Sequence, residues 1–151
     1  MVDVVTSIEI SRPKDEVAAY AADPANAPAW YVNIKRVEWL SSPPVALGSR
    51  VAFVAEFLGR RLVYTYAVTD FVPGSRLTMR TAEGPFPMET TYTWESTADG
   101  ATLMTLRNRG MPSGFSRLMA PFMRIAIRRA NVKDLAALKR RLEGNALRRT
   151  V

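Results

Sequence analysis

Hydrophobic and polar residues alternate along the middle of the chain in runs that end at turn residues. A period of two is typical of strands that bury one face. A β-branched run precedes this region, and Pro-Gly, Gly-Pro and Asp-Gly pairs separate the later runs. Because short turns join those later runs, we expect an antiparallel meander. The pattern predicts seven strands, at residues 2–10, 34–40, 48–58, 62–71, 77–82, 88–96 and 102–109.

Two short helices are predicted between the first and the second strand. Ser11 offers an N-cap, and the acidic residues that follow it favour the dipole of a helix that starts there. The pair Asp23-Pro24 ends this helix. Residues 25–31 then allow a second, shorter helix.

A long helix is predicted at about residues 115–143, with Gly144 as its C-terminal stop. Pro121 should lie in the first turn or kink the helix. Residues 145–151 should form a flexible basic tail, so that a single domain covers residues 1–144. In the first half of the helix the arginines share one face. The opposite face, which should contact the sheet, carries Met119, Phe122, Met123, Ala126 and Ala130.

In the predicted strands, one parity is apolar or aromatic and the other parity carries the charges. Because charged side chains stay in water, the apolar parity should face the long helix, which is large enough to cover a curved sheet. The sequence thus predicts an α+β fold, with a seven-stranded curved antiparallel sheet, two short helices and a long C-terminal helix. The inward-facing set is Val51, Phe53, Ala55, Phe57, Leu62, Tyr64, Tyr66, Val68, Leu77, Met79, Thr81, Met88, Thr90, Tyr92, Trp94, Met104, Leu106 and Asn108.

The composition excludes several kinds of catalytic site and metal site. The 151-residue chain has no Cys, which removes disulfides, thiolate nucleophiles and Cys-ligated metals. It has no His either, so no Ser-His nucleophile can form and the commonest metal ligand is missing. Any catalysis would come from Asp, Glu, Lys, Arg, Tyr or a bound cofactor, and we expect neither a metal nor a cofactor. The absence of Cys, of a long apolar run and of a signal-like N-terminus predicts a cytoplasmic protein.

The positive charge is concentrated in the C-terminal part of the chain. The net charge is +7. Residues 1–110 hold 11 basic and 12 acidic residues, which sum to −1, whereas residues 111–151 hold 10 and 2, which sum to +8. Such asymmetry is compatible with an anionic partner such as nucleic acid, a membrane surface or an acidic ligand. The alternative, which we prefer, is a solvated helix face and tail without a partner.

Local strings along nearly the whole chain follow an order that is typical of one superfamily. They are Ile10-Ser11-Arg12-Pro13 with Val17; Tyr20, Asp23-Pro24, Asn26, Pro28 and Trp30; Gly48; Tyr92-Thr93-Trp94-Glu95 before Asp99-Gly100; and Leu135, Leu138-Lys139 and Leu142-Glu143. In these strings the chain resembles the star-related lipid-transfer / polyketide cyclase-dehydrase superfamily (SRPBCC, Bet v 1-like). The resemblance implies the helix-grip fold, with a pocket between the sheet and the long helix. Members include lipid and quinone carriers, aromatase/cyclases and ribosome-associated factors, so the fold does not choose a function.

The inward-facing residues indicate what such a pocket would bind. Small residues opposite an aromatic sheet leave room, and a few polar atoms in an apolar lining are typical of small-molecule sites. Met side chains suit irregular ligands because they adapt their shape. The alternative is a solid core, in which Trp30 is a plug rather than the gate that the resemblance implies. The candidate ligand-binding residues are Trp30, Phe53, Ala55, Tyr64, Tyr66, Met79, Met88, Thr90, Tyr92, Trp94, Met104, Asn108, Met119, Phe122, Met123 and Ala126.

Three functions remain open on the sequence. The first, which we prefer, is binding or transport of a small hydrophobic ligand such as a lipid, an isoprenoid or an aromatic polyketide. The second is a polyketide cyclase/dehydrase-type enzyme. No acid–base pair is recognised, and a tyrosine with a pKa of about 10 is a poor base at neutral pH, so the composition favours a non-enzymatic role. The third is a module that uses the basic C-terminal helix on RNA, the ribosome or an anionic membrane. The oligomeric state stays open.

Overall fold

The computed structural model describes residues 2–57, 59–83, 87–110 and 120–149, apart from the side chains of residues 57, 83 and 145–149. Within these residues, seven strands, two short helices and one long helix follow each other in the predicted order, which confirms the α+β fold class. A single 3-10 turn, Pro24–Asn26, precedes the second helix. The elements are β1 (Val2–Ile10), α1 (Lys14–Ala22), α2 (Ala27–Trp30), β2 (Ile34–Trp39), β3 (Arg50–Phe57), β4 (Arg60–Val72), β5 (Arg76–Glu83), β6 (Met88–Ser96), β7 (Thr102–Gly110) and α3 (Ala120–Arg149).

The seven strands form one antiparallel sheet in the order β1-β7-β6-β5-β4-β3-β2. Strands β2 to β7 are therefore a meander, and β1 adds to the far edge beside β7. Gly100 adopts a φ of 77°, which L side chains rarely adopt, and this allows the tight turn from β6 into β7. In the register of β3 and β4, Phe53 lies opposite Tyr64, and Val51 lies opposite Tyr66. Residues of the predicted inward parity therefore meet on one face of the sheet.

The start of α1 differs from the prediction. The helix begins at Lys14 with Pro13 at its N-cap position, and no side chain caps it. Ser11 instead donates its backbone N–H to the Glu143 carboxylate near the end of α3, at 2.9 Å. The reason is that the backbone bends at Arg12, whose N–H donates to the carbonyl of Ile10, so the helix starts later than a Ser11 cap requires.

In the part of the chain that the structure describes, two hydrophobic clusters hold α3 on the sheet. In the larger cluster, the C-terminal half of α3 contributes Leu135, Leu138 and Leu142, which are at most 3% exposed. They pack with residues of α1, α2 and the sheet. The smaller cluster joins Met123 and Ile127 of α3 to Val2 and Val4 of β1. Among the described residues, no helix is long and apolar enough to cross a bilayer.

The rotation and the end of α3 correct two predictions. Phe122 is 59% exposed and Ala126 lies at the edge, while Met123 and Ile127 point inward. Four of the five residues from 122 to 126 are apolar, so the sequence does not determine which face of α3 is buried. In the structure, the face that carries Ile127 packs against the sheet. The predicted stop at Gly144 is also wrong, because α3 continues to Arg149 and Gly144 does not adopt a positive φ. Flexibility of residues 145–151 stays a prediction, and the predicted helix start near Phe115 lies outside the described residues.

Candidate functional site

A cavity of about 160 Å³ lies between the sheet and α3. The α3 wall consists of Ile127, Ala130, Asn131 and Asp134, and the segment after α2 contributes Tyr31, Asn33 and Ile34. A comparably large apolar cavity, of about 150 Å³, can hold a benzene ring. The sheet wall consists of Phe53, Ala55, Leu62, Tyr64, Tyr66, Met79, Met88, Thr90, Tyr92 and Asn108.

Small side chains on both walls keep this space open. Ala55 on β3 and Ala130 on α3 line the cavity where longer side chains would reach across it. The aromatic rings around them contact one another rather than filling the space. The ring of Phe53 meets Tyr66 edge to face at a centroid distance of 5.6 Å, and Tyr64 lies 6.2 Å from Tyr66. Such ring pairs stabilise the wall itself, so the cavity has a defined shape.

The hydroxyl groups of Tyr31 and Tyr92 form a hydrogen bond with each other. The ring of Trp30 packs against both tyrosines, at centroid distances of 4.0 Å to the ring of Tyr31 and 5.9 Å to the ring of Tyr92. Burial raises the pKa of Tyr31 and Tyr92 above the ordinary value, and it raises the pKa of Tyr66 to about 12. These phenols are therefore neutral at physiological pH, where they can donate or accept a hydrogen bond but cannot act as bases.

A buried carboxyl group, that of Asp134, lies beside the tyrosine pair. Asp134 is 2% exposed, and its Oδ1 accepts a hydrogen bond of 2.8 Å from the backbone N–H of Val32. Burial raises its pKa to about 7, although the hydrogen bond from Val32 acts in the opposite direction. At neutral pH the protonated and ionised forms of this group therefore coexist, as general acid–base chemistry requires. We call Tyr31, Tyr92, Asn131 and Asp134 the polar end of the cavity.

Two amide side chains of the cavity differ in how they are satisfied. The Oδ1 atom of Asn108 accepts a hydrogen bond of 2.7 Å from the hydroxyl of Thr90. Asn131 is 4% exposed, and its Nδ2 has no hydrogen-bond partner among the described residues. The same holds for the indole nitrogens of Trp30 and Trp94.

Nine of the candidate ligand-binding residues lie together on the cavity wall: Phe53, Ala55, Tyr64, Tyr66, Met79, Met88, Thr90, Tyr92 and Asn108. The other candidates that the structure describes do not line it. Trp30, Trp94 and Met104 are packed in the larger hydrophobic cluster, and Met123 is packed in the smaller one. Met119 lies outside the described residues. For these five residues a role in ligand binding stays a prediction.

Phe122 and Ala126 lie outside the cavity, in a surface groove of about 340 Å³. We call it the outer groove; it also contains Val32, Ile125, Arg129 and Lys133. The prediction that Phe122 and Ala126 line the pocket is wrong because the inward rotation of Ile127 turns them away from the sheet. Asn33 and Ala130 line both the cavity and the outer groove, so these two spaces are neighbours.

The candidate set lacked several residues of the wall, including Tyr31, Asn33, Ile34, Leu62, Ile127, Asn131 and Asp134. One signal for the last two was present in the sequence. Asn131, Asp134, Leu135 and Leu138 recur at intervals of three and four residues, which places two polar residues on the apolar face of a helix. Among the described residues, no group of three or more acidic side chains is placed to hold a metal ion.

Comparison with known proteins identifies the fold and the family. A family model described as polyketide cyclase / dehydrase and lipid transport matches residues 1–143. A sequence search of curated proteins finds no match.

Solved structures resemble the chain at low sequence identity, which shows the fold alone. The Zhui aromatase/cyclase from Streptomyces sp. R1128 is 18% identical with a TM-score of 0.79, over 99% of this chain and 95% of that one. A START superfamily protein from Mycobacterium smegmatis is 17% identical with a TM-score of 0.77, over 94% and 97%. A protein from Thermus thermophilus is 16% identical with a TM-score of 0.81, over 95% and 98%. The family match confirms the resemblance seen in the sequence: the chain belongs to the polyketide cyclase / dehydrase and lipid transport family.

Proposed function

We propose that the protein binds or transports a small hydrophobic ligand, such as a lipid, an isoprenoid or an aromatic polyketide-like molecule, in the cavity between the sheet and α3. The observation that carries the proposal is the cavity itself, which is lined mainly by apolar and aromatic side chains and carries a few polar groups. Its volume of about 160 Å³ favours a compact ring or a short branched chain over a long extended acyl chain.

Native mass spectrometry of the protein, purified without detergent, tests this proposal. We expect an adduct of small mass that organic extraction removes, or uptake of a one-ring hydrocarbon by the emptied protein. A protein that carries no adduct and takes up no hydrocarbon over a broad concentration range contradicts the proposal.

Acid–base catalysis of the cyclase/dehydrase type is the second candidate, and Asp134 is the observation that favours it. Its pKa of about 7 suits a group that gives and takes a proton at neutral pH, and the Tyr31–Tyr92 pair lies beside it as a neutral donor. Asp134→Asn keeps the acceptor for Val32 but cannot exchange a proton. If the protein cyclises a poly-β-ketone substrate, this variant should lose about 10²-fold or more in rate. Full activity of Asp134→Asn would rule out this mechanism.

A weak contact of α3 with an anionic lipid surface is the proposed accessory interaction. Phe122, Ile125 and Val132 are more than half exposed, at 59%, 54% and 55%, and exposed arginines lie among them. Apolar and cationic side chains on one exposed surface are typical of helices that lie on membranes. Vesicles of phosphatidylglycerol should therefore bind the protein at low salt, and vesicles of phosphatidylcholine should not. Equal binding to both, or binding to RNA alone, contradicts the lipid contact. A cytoplasmic location stays a prediction that cell fractionation would check.

A further inference from the structure

The polar groups of the cavity are unequally satisfied, and this difference indicates which ligand group the cavity accepts. The Tyr31–Tyr92 hydroxyl pair and the Thr90–Asn108 pair are satisfied within the protein. Asn131 is not: it is only 4% exposed, and its amide nitrogen has no acceptor among the described residues. A buried donor without an acceptor costs free energy, so a ligand that supplies the acceptor removes this cost.

Asn131 is placed to meet such a ligand. It lies one helical turn before Asp134 on the face of α3 that lines the cavity. The terminal torsion of an Asn side chain has broad minima, so the amide can turn toward the cavity while the backbone stays in place. The partner that an amide N–H₂ group requires is an acceptor atom, and a ligand oxygen supplies it.

The charge of the wall decides which kind of oxygen fits. Among the described residues that line the cavity, Asp134 is the one acidic residue, and none is Lys or Arg. A carboxylate or phosphate on the ligand would therefore lie near an acidic side chain without a counter-charge, in a largely apolar space. A carbonyl oxygen accepts the hydrogen bond from Asn131 and carries no net charge.

We propose that the cavity selects neutral ligands that carry a carbonyl-type oxygen, and that Asn131 is the residue that binds this oxygen. The inference rests on the proposed hydrophobic binding and adds a chemical class to it. Aryl ketones are accepted, the matching hydrocarbons bind more weakly, and carboxylates are excluded.

Three probes with the same number of carbon atoms test this: ethylbenzene, acetophenone and phenylacetate. Ligand-observed NMR titrations of the full chain at neutral pH measure each affinity. We expect acetophenone to bind about fivefold to tenfold more tightly than ethylbenzene, since a hydrogen bond to an otherwise unpaired buried donor contributes a factor of about this size. Phenylacetate should not bind. Equal affinities of acetophenone and ethylbenzene, or tight binding of phenylacetate, overturn the inference and leave hydrophobic binding intact. If none of the three binds, the proposed function fails as well.

Substitution of Asn131 assigns the preference to this residue. Asn131→Leu removes the donor and keeps the number of side-chain heavy atoms. The affinity for acetophenone should then fall to that for ethylbenzene, because neither probe can form the hydrogen bond. Arg140→Leu, an exposed polar-to-leucine change on the same helix, is the matched control and should leave both affinities unchanged. Should Asn131→Leu fail to fold, Asn131→Ala removes the donor without adding atoms and should also lose the preference. A ketone preference that survives either folded variant overturns the assignment.

Discussion

The Asp134 carboxyl group accepts a hydrogen bond of 2.8 Å from the backbone N–H of Val32, a residue 102 positions earlier in the chain. This contact joins α3 to the segment between α2 and β2. It fixes the distance between two walls of the cavity and brings Tyr31, the neighbour of Val32, to the polar end. The same contact keeps a carboxyl group where burial raises its pKa to about 7.

Asp134 should make stability depend on pH in a direction opposite to that of a salt-bridged acid. Its pKa rises from 3.8 to about 7 on folding, so the folded state holds a proton that the unfolded state releases. The stabilising contribution of protonated Asp134 to the free energy of unfolding is fully present below about pH 4. This contribution, up to about 4 kcal/mol, is lost as the pH rises through about 7. Relative to wild type, Asp134→Asn should gain free energy of unfolding across this range in urea titrations.

Val132→Ala, an exposed change on the same helix that alters no titratable group, supplies the control and should follow the pH dependence of the wild type. A difference between Asp134→Asn and wild type that is the same at low and at neutral pH contradicts a raised pKa at Asp134.

The Tyr31–Tyr92 pair should show strong coupling. Tyr92→Phe leaves the Tyr31 hydroxyl without its partner and should cost about 1–3 kcal/mol in the free energy of unfolding. Removing both hydroxyls removes the unpaired group, so the double variant Tyr31→Phe/Tyr92→Phe should cost no more than either single variant. A double-mutant cycle by chemical denaturation measures this coupling. Simple additivity would show that the two hydroxyls are independently solvated.

Ala130 should control access to the cavity from α3. Ala130→Leu places three more carbon atoms in the lining, and the cost of overpacking, about 1–3 kcal/mol, should lower the affinity for ethylbenzene by about tenfold or more. Val132→Leu, on the solvent side of the same helix, should leave the affinity unchanged. Ligand-observed NMR measures both. Unchanged affinity in Ala130→Leu means that the probe binds elsewhere.

Leu138 should be among the most sensitive positions of the core that the structure describes. It is 0% exposed within the cluster that joins α3 to the sheet. Leu138→Ala should therefore reduce the free energy of unfolding by about 2–5 kcal/mol, through lost burial and the space left behind. Val132→Ala, at a position that is 55% exposed, should change it by less than about 0.5 kcal/mol. Thermal or urea unfolding measures the free energy of unfolding of both variants. Similar losses in the two variants would mean that α3 packs on the sheet through a different face.

Several features of this protein follow from local sequence patterns. The strands and their turns were predictable because a period of two and turn residues are local signals. The sheet side of the cavity was predictable for the same reason. Charged residues alternate with the apolar ones along these strands and stay in water, so Phe53, Tyr64, Tyr66 and Tyr92 face the inner side of the sheet. The geometry of the strands then places them together.

Three-dimensional packing decided the rest. Neighbouring apolar residues from 122 to 127 allow α3 more than one buried face, and contact with Val2 and Val4 selects the face of Met123 and Ile127. The end of α3 was equally ambiguous, because Gly144 accepts both helical and positive φ.

The contacts that assemble the polar end of the cavity are the clearest case of a feature that the sequence could not show. The sequence by itself determined the fold class and the aromatic wall. Tertiary structure alone brings Tyr31 to Tyr92 across 61 residues and Asp134 to Val32 across 102. The reason is physical: a carboxyl or a phenol acquires its pKa and its hydrogen-bond partner from the groups that surround it after folding, and none of those groups is its neighbour in the chain.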